Sequence, residues 1–146
     1  MKKRGFTLVE IMIVVAIISV LAVIAIPNLL RARIAANEAA AIGAMNTISA
    51  ACENYHSFYR TFPPYLNCLG NDTPPFIDST LASGTKQGYL FTLVGSTHTF
   101  VAQARPVVFE KSGKRSFYID EEGVIRFTDQ QLEEFNLTPN NTDILE

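Results

Sequence analysis

One uninterrupted apolar stretch near the amino terminus limits what this chain can fold into. Between Phe6 and Ile26 there are 21 residues and a single charge, that of Glu10. A helix of this length rises about 1.5 Å per residue and spans the hydrocarbon core of a bilayer, which is about 30 Å thick. A secretory signal peptide has a shorter apolar core that ends at small residues, whereas this stretch continues to Pro27. The sequence therefore predicts a retained transmembrane helix.

Basic residues flank this stretch on both sides. Lys2, Lys3 and Arg4 precede it, and Arg31 and Arg33 follow it. Because basic residues are enriched on the cytoplasmic side of a membrane helix, the count favours a cytoplasmic amino terminus by one residue. The remaining hundred-odd residues have the length of one ordinary domain. We predict a single-pass protein of the inner membrane whose amino terminus is cytoplasmic and whose folded domain lies outside the cytoplasm.

Glu10 needs an explanation, because a carboxylate at the centre of a bilayer costs about 3 kcal/mol. One explanation is a capping box, Thr-x-x-Glu, in which Thr7 and Glu10 each satisfy a backbone N–H at the start of the helix. The other is that Glu10 neutralises the amine of a neighbouring chain, which requires a cleavage that makes Phe6 the new amino terminus. The two explanations are compatible at different stages.

The first thirty residues carry a family resemblance. The sequence KKRGFTLVE at residues 2–10, followed by IMIVVAII at residues 11–18, resembles the class III signal of type IV pilins and type II secretion pseudopilins. It combines a short basic leader, a glycine directly before Phe6, a glutamate five residues into the mature chain, and a proline at the far end of the apolar helix.

The resemblance implies processing and assembly. It implies cleavage between Gly5 and Phe6 by a prepilin peptidase, N-methylation of Phe6, and roles for Glu10 and Pro27 in assembly. The expected partners are that peptidase, other copies of the chain, minor pilins or pseudopilins, an inner-membrane assembly platform and membrane lipid. The expected product is a type IV pilus-like filament or a type II secretion pseudopilus. The sequence leaves open which filament it is and whether this subunit is major or minor.

A second helical stretch follows Pro27. The residues from Leu29 to Tyr59 are rich in alanine, a strong helix former, and Phe62-Pro63-Pro64 ends the run. Because proline lacks an N–H, we expect a kink at Pro27, although a helix end there is the alternative. Apolar residues at helical spacing predict one face that covers a sheet; they are Ile34, Ala41, Met45, Ile48, Cys52, Tyr55 and Tyr59. Polar residues are expected elsewhere on the helix surface; they are Arg31, Arg33, Asn37, Glu38, Asn46 and Glu53.

The rest of the chain predicts a small antiparallel sheet. Residues 63–88 are rich in Pro, Gly, Asn, Asp, Ser and Thr, which indicates a long ordered loop. Four strands are predicted after it, at 89–94, 97–104, 116–120 and 124–127. The fold class is therefore α+β: a long kinked amino-terminal helix packed on a three- to four-stranded antiparallel sheet, which is also the pilin fold that the resemblance implies.

The expected domain organisation has three parts: a leader at residues 1–5, a transmembrane and assembly helix at 6–30, and a globular domain at 31–146 that includes the second half of the helix. The segment 113–126 is also similar to the closing hairpin of many pseudopilin-like proteins, or it is a generic hairpin around an acidic turn. The acidic tail at 128–146 either packs on the domain or stays loose.

Two cysteines permit one disulfide. Cys52 lies on the stripe that faces the core, and Cys68 follows in the loop, both in the part expected outside the cytoplasm. A bond between Cys52 and Cys68 would stabilise the fold by about 3 kcal/mol in the chain-entropy model. The alternative is two buried thiols. The usual carboxy-terminal disulfide of the family does not match, because no cysteine follows Cys68.

No catalytic or metal-binding pattern stands out. His56 and His98 are isolated, and no phosphate loop, nucleophile elbow or zinc spacing is present, so we expect neither an enzyme nor a cofactor.

The charge of the chain is acidic once the leader is removed. Removing residues 1–5 changes the number of basic residues from 12 to 9 against 14 acidic residues, a net charge of −5, which speaks against nucleic-acid binding. The late acidic residues are interpreted as a solvated surface, with calcium binding as the alternative; they are Asp120, Glu121, Glu122, Asp129, Glu133 and Glu134.

These features predict a structural filament subunit. The alternative, from another functional class, is an uncleaved, membrane-tethered periplasmic ligand-binding protein in which Glu10 acts only as a helix cap. The missing carboxy-terminal disulfide and the closing hairpin favour a pseudopilin over a pilus subunit slightly. The role of the filament, whether secretion, adhesion, motility, DNA uptake or electron transfer, is left open.

Overall fold

The computed structural model describes residues 5–129. Most of the predicted leader and almost all of the acidic tail, including Glu133 and Glu134, lie outside the described residues. The chain divides into two compact units, one up to Arg33 and one from Ile34 onward, and each is described by itself.

The longest element is the helix α1, Leu8–Tyr59, with 52 residues. The chain stays helical through Pro27, so the predicted continuation is confirmed, while a kink at Pro27 stays a prediction. The helix ends where Arg60 adopts a positive φ of 59° and donates its N–H to the carbonyl of His56 at 2.9 Å. The prolines that follow prevent its extension.

In the first unit α1 has no core to join. Every described residue of this unit is exposed except Ala22, which is half-buried. The most apolar stretch of the helix has a mean hydropathy of 3.0, and it is long and apolar enough to cross a membrane. The predicted transmembrane helix is therefore present as a helix whose apolar side chains face outward.

The second unit contains a five-stranded antiparallel sheet in sequence order. Its strands are β1 (Thr85–Lys86), β2 (Tyr89–Gly95), β3 (Phe100–Pro106), β4 (Ser116–Asp120) and β5 (Arg126–Thr128). The predicted α+β fold and antiparallel sheet are confirmed, but the sheet has five strands where three to four were predicted. The missed strand, β1, has only two residues, too few to give a periodic signal.

The connections differ from their prediction in two places. The turn between β2 and β3 is longer than expected, because Ser96 donates its N–H to the carbonyl of Thr99 at 2.8 Å and delays β3 to Phe100. The segment predicted as a loop contains two short helices, α2 (Leu66–Asn71) and α3 (Ser79–Ala82). Apolar residues that follow the two proline pairs bury their side chains and fold this segment onto the domain; they are Leu66, Leu69, Ile77 and Leu81.

The core lies between one face of α1 and one face of the sheet. The predicted stripe is confirmed at its centre, where Ala41, Met45, Ile48 and Cys52 are buried. It does not extend to Tyr59, which is 52% exposed. The sheet supplies alternate residues of β2, β3 and β4, as expected for strands with one covered face; they are Phe91, Leu93, Phe100, Ala102, Ala104, Phe117 and Ile119.

Candidate functional site

The head of α1 is open to its surroundings. Gly5 and Phe6 precede the helix, and the Phe6 side chain is 85% exposed. A side chain added at Gly5 would meet no atom within 4 Å. The peptide bond between Gly5 and Phe6 therefore lies in an unpacked stretch, and no packing contact among the described residues requires glycine at position 5.

The first turn of α1 contains the predicted capping box. The Thr7 backbone N–H donates to Oε2 of Glu10 at 2.7 Å, and the Thr7 hydroxyl donates to the same oxygen at 2.8 Å. In return the Glu10 backbone N–H donates to Oγ1 of Thr7 at 3.3 Å. The geometry confirms the cap. Glu10 is exposed, so its carboxylate stays reachable by a group from outside the chain.

Pro27 is exposed within α1. As a proline it offers no N–H to the carbonyl of Val23, so one backbone hydrogen bond of the helix is missing there. The role of Pro27 in assembly stays a prediction.

A second glutamate, Glu38, is buried in the other unit, with 8% of its side chain exposed. Its Oε1 accepts the backbone N–H groups of Lys114 and Arg115 at 3.0 and 3.1 Å. Its Oε2 accepts Nε of Arg115 at 2.8 Å and lies 2.7 Å from another guanidinium nitrogen of that residue. Both carboxylate oxygens therefore accept hydrogen bonds from residues that precede β4, in an ion pair whose carboxylate is buried and whose arginine side chain is half-buried.

The surroundings of Glu38 act on its pKa in opposite directions. Burial favours the neutral acid and raises the pKa, but the backbone N–H groups of Lys114 and Arg115 and the Arg115 guanidinium favour the carboxylate. The second group of effects prevails, and the pKa of Glu38 lies below its usual value. Glu38 is therefore held as a charged group at neutral pH.

Glu38 belongs to a set of contacts that fixes residues 107–115, called here the 107–115 turn. Asn37 donates its side-chain amide to the carbonyl of Ser112 at 2.7 Å, and the Tyr89 hydroxyl donates to the carbonyl of Arg115 at 2.8 Å. Any side chain at Gly113 would collide with the Tyr89 ring. The turn is thus pinned to the first buried turn of α1 and to the start of β2.

The sequence interpretation missed this set, because it placed Asn37 and Glu38 on the polar surface of the helix. Glu38 is buried and Asn37 is half-buried. The sequence did contain a signal for this burial. Ala41, Met45 and Ile48 are spaced by four and three residues, which places them on one face of the helix. Glu38 lies three residues before Ala41 and therefore belongs to the same face. A charged residue on an apolar stripe predicts a buried ion-pair partner.

The two cysteines lie where the sequence placed them relative to the core. Cys52 is buried on α1 and Cys68 is half-buried in α2, and the structure contains both as free thiols. Burial, with a smaller contribution from the charge of Glu53, raises the pKa of Cys52 to about 12, so its thiol is neutral and unreactive. The disulfide between Cys52 and Cys68 stays a prediction.

The acidic turn after β4 is balanced by an arginine. A guanidinium nitrogen of Arg126 lies 2.7 Å from Oδ2 of Asp120, and the Tyr118 hydroxyl donates to the same oxygen at 3.2 Å. Within residues 5–129 no group of three or more His, Cys, Asp or Glu side chains could hold a metal ion. These contacts describe a hairpin closed by ion pairs.

Comparison with known proteins points to one family. The family model described as the prokaryotic N-terminal methylation motif matches residues 1–26. The chain is 36% identical over 90 residues to the type IV wide pilus major component PilA4 of Thermus thermophilus, covering 59% of this chain and 69% of that protein. It is 32% identical over 90 residues to the type II secretion system core protein G of Escherichia coli, covering 61% and 62%. It is 36% identical over 69 residues to the type IV major pilin protein PilA of Myxococcus xanthus, covering 47% and 31%.

Proposed function

The chain belongs to the family of type IV pilins and type II secretion pseudopilins, and we propose that it is cut between Gly5 and Phe6 and then polymerises through its amino-terminal helix. The family consists of membrane-anchored structural subunits of filaments, not of enzymes. We further propose that the amino terminus starts in the cytoplasm, that the anchor lies in the inner membrane, and that a prepilin peptidase, an assembly platform and minor subunits act on the chain.

The observation that carries this proposal is the exposed apolar half of α1. Its large apolar side chains are 42% to 75% exposed between Leu8 and Leu30. Such a surface is covered in a stable molecule either by lipid or by other protein. The two coverings correspond to two states of one subunit: stored in the bilayer, and packed with the helices of other copies in a filament.

Gly5 supports the proposed cleavage. Since an added Cβ would meet nothing within 4 Å at this position, the fold does not explain the glycine. Recognition by a peptidase explains the glycine, because an enzyme that binds the chain in an extended form needs close access to the backbone before the cut. The exposed Phe6 would then become the new amino terminus and the site of N-methylation.

Glu10 supports the proposed assembly contact. Among residues 5–129 its carboxylate accepts hydrogen bonds from Thr7 in the same turn. After cleavage the protonated amine of Phe6 in one copy becomes a partner for Glu10 in another. Pairing the two charges offsets the cost of an unpaired carboxylate in lipid, which is about 3 kcal/mol at the bilayer centre.

Mass measurement of the membrane-extracted protein tests the cleavage. Coexpression with a prepilin peptidase should shorten the chain by residues 1–5 and add one methyl group at Phe6. The variant Gly5→Leu should fold and insert normally but keep its leader. An intact leader on the unaltered chain in the presence of active peptidase would overturn the proposal.

Two matched variants separate the cap from the charge. Glu10→Gln keeps an oxygen that can accept the Thr7 N–H but removes the charge, while Thr7→Val removes the capping hydroxyl but keeps the charge. We expect Glu10→Gln to lower the yield of sheared filaments at least about ten-fold, since 1.4 kcal/mol is a factor of ten, and Thr7→Val to assemble nearly normally. The reverse order would show that Glu10 serves only as a cap.

The relatives do not favour the uncleaved, membrane-tethered ligand-binding protein, since they are pilus and secretion-system components. Relatives of both filament types match at similar identity, 36% and 32%. The proposed function is therefore the step that both types share, polymerisation through the amino-terminal helix.

We also propose that Cys52 and Cys68 are joined in the mature subunit. Both residues belong to the globular unit, Cys52 buried on α1 and Cys68 half-buried in α2. If the bond forms, alkylation of the unfolded, unreduced protein should label neither cysteine; two labelled thiols would rule it out.

A further inference from the structure

The 107–115 turn presents an apolar edge to its surroundings. Val107 and Val108 are 57% and 48% exposed, and the lysines Lys111 and Lys114 are exposed beside them. The two valines are adjacent in sequence and form a small apolar pair on the surface of the globular unit.

The turn is held in this conformation by its own hydrogen bonds. Val107 donates its N–H to the carbonyl of Gly88 at 2.9 Å, and Ser112 donates its N–H to the carbonyl of Val108 at 2.9 Å. The Ser112 hydroxyl also accepts the Val108 N–H at 3.0 Å. Together with the contacts of Asn37 and Glu38, these hydrogen bonds hold the backbone of the turn in one conformation, in which the two valines are exposed.

The turn is fastened to residues of α1 that lie close in sequence to the membrane segment. It is fastened to Asn37 and Glu38, and Asn37 lies seven residues after Leu30, the end of the expected membrane segment. Seven residues rise about 10 Å in a helix and reach at most about 25 Å fully extended. The headgroup layer adds about 5 to 7 Å to each side of the hydrocarbon core. The turn is therefore fastened a short stretch of chain beyond the membrane segment, a distance from which it can reach the headgroup layer.

The charges of the turn suit an anionic surface. Arg115 is engaged by Glu38, but within residues 5–129 Lys111 and Lys114 have no ion-pair partner. Glu110 is the one acidic residue of the turn, so the two lysines outnumber it. Exposed Arg31 and Arg33 add positive charge on α1 just beyond the membrane segment. Basic residues next to a membrane anchor are attracted to anionic headgroups.

We propose that the 107–115 turn is a second membrane contact: Val107 and Val108 enter the interface, and Lys111 and Lys114 bind the phosphates of anionic phospholipids. The proposal rests on the membrane anchor of the family and is independent of cleavage and polymerisation. Its consequence is a subunit attached to the bilayer at two places, the helix and the turn. This contact orients the globular domain while the subunit is stored, and it must be released when the subunit leaves the membrane.

The experiment uses a property of the sequence, which contains no tryptophan. Val108→Trp gives the full chain a single fluorophore at the turn. His98→Trp gives a matched control, because His98 is exposed in the connection between β2 and β3, at the other end of these strands. Val20→Trp in the apolar helix provides the reference for full burial in lipid. Each variant is reconstituted in vesicles of phosphatidylglycerol and phosphatidylcholine that carry brominated acyl chains, which quench tryptophan on contact.

We expect Val108→Trp to be quenched to about half the extent of Val20→Trp and His98→Trp to be barely quenched. Adding Lys111→Glu and Lys114→Glu should weaken the contact about five-fold per lysine, since each basic residue near an anionic surface contributes about 1 kcal/mol. Vesicles of phosphatidylcholine alone should weaken it in the same way.

Other outcomes overturn the proposal. Equal quenching of Val108→Trp and His98→Trp would show that the turn does not touch lipid. A blue-shifted but unquenched Val108→Trp would show that a second copy covers the turn instead. Quenching that is unchanged by the lysine substitutions would remove the role of the anionic headgroups. An unquenched Val20→Trp would overturn the membrane anchor itself, which distinguishes that failure from failure of the turn alone.

Discussion

Glu10 and Glu38 are two glutamates on one helix with opposite situations. Glu10 is exposed, and its partners belong to its own turn. Glu38 is buried, and its partners lie 76 and 77 residues away in the sequence. The Glu10 carboxylate is therefore accessible to another molecule, whereas both oxygens of the Glu38 carboxylate are hydrogen-bonded within the globular unit.

The same division applies to the apolar residues of α1. The first half is the more hydrophobic, yet its side chains are exposed, whereas the second half builds the core from small residues such as Ala41, Ala44 and Ala51. Hydrophobicity alone thus does not mark the core of this protein. The most hydrophobic part of α1 is a surface that lipid or other copies can cover. The second half of α1 packs closely on the sheet because several of its buried residues are alanines.

The comparison of the two glutamates gives the largest predicted effect on stability. Glu38→Ala should lower the free energy of unfolding of the globular unit by about 3 kcal/mol, because Arg115 and two backbone N–H groups lose a buried partner. Glu10→Ala should remove only a helix cap, which costs about 1 kcal/mol and acts at the head of α1. Urea unfolding of the detergent-solubilised chain, followed by near-ultraviolet circular dichroism, measures both. Glu53→Ala, an exposed position on the same helix, is the control. Equal effects at positions 38 and 53 would contradict the hydrogen bonds of Glu38 to Lys114 and Arg115.

Two glycines extend the comparison. A methyl group at Gly113 would collide with Tyr89, whose ring is buried and whose hydroxyl is bound to Arg115. Overpacking of this kind costs about 1 to 3 kcal/mol, so Gly113→Ala should destabilise the unit by about 2 kcal/mol in the same unfolding assay. Gly5→Ala, which meets open space, should leave stability unchanged. A neutral Gly113→Ala would mean that the 107–115 turn is not packed against Tyr89.

Much of this architecture was predictable because it follows from periodicity. The membrane helix, the stripe at Ala41, Met45 and Ile48, and the antiparallel order of the sheet follow from residue spacing. The Glu10 cap was predictable too, since its partner is three residues away.

What could not be predicted depends on contacts distant in sequence. Glu38 accepts hydrogen bonds from residues 76 and 77 positions later, and no local pattern contains both partners. The strand β1 and the helices α2 and α3 are short segments whose local preference for a turn is overridden by burying Leu69 and Leu81. Long-range burial thus accounts for the misses in the region predicted as a loop.

A smaller effect on stability is expected from pH, through the ionisation of Glu38. The pKa of Glu38 is lowered from the usual 4.5, so its stabilising charge is fully present above pH 4.5 and is lost as the pH falls through the lowered value. Stability measured from pH 6 down to 3 should therefore fall less in Glu38→Gln than in the unaltered chain. Parallel curves would show that Glu38 is not the charged partner of Arg115.

The smallest predicted effect tests whether every position in the second half of α1 is too closely packed to accept a larger side chain. Gly43 is exposed, and an added Cβ would meet nothing within 4 Å. Because alanine is favoured over glycine in a helix interior by about 0.8 to 1 kcal/mol, Gly43→Ala should stabilise the globular unit by somewhat less than 1 kcal/mol. The midpoint of urea unfolding should rise without a change in slope. A loss of stability would indicate that Gly43 is covered in solution, and filament yield measured on the same variant would then show whether another copy is what covers it.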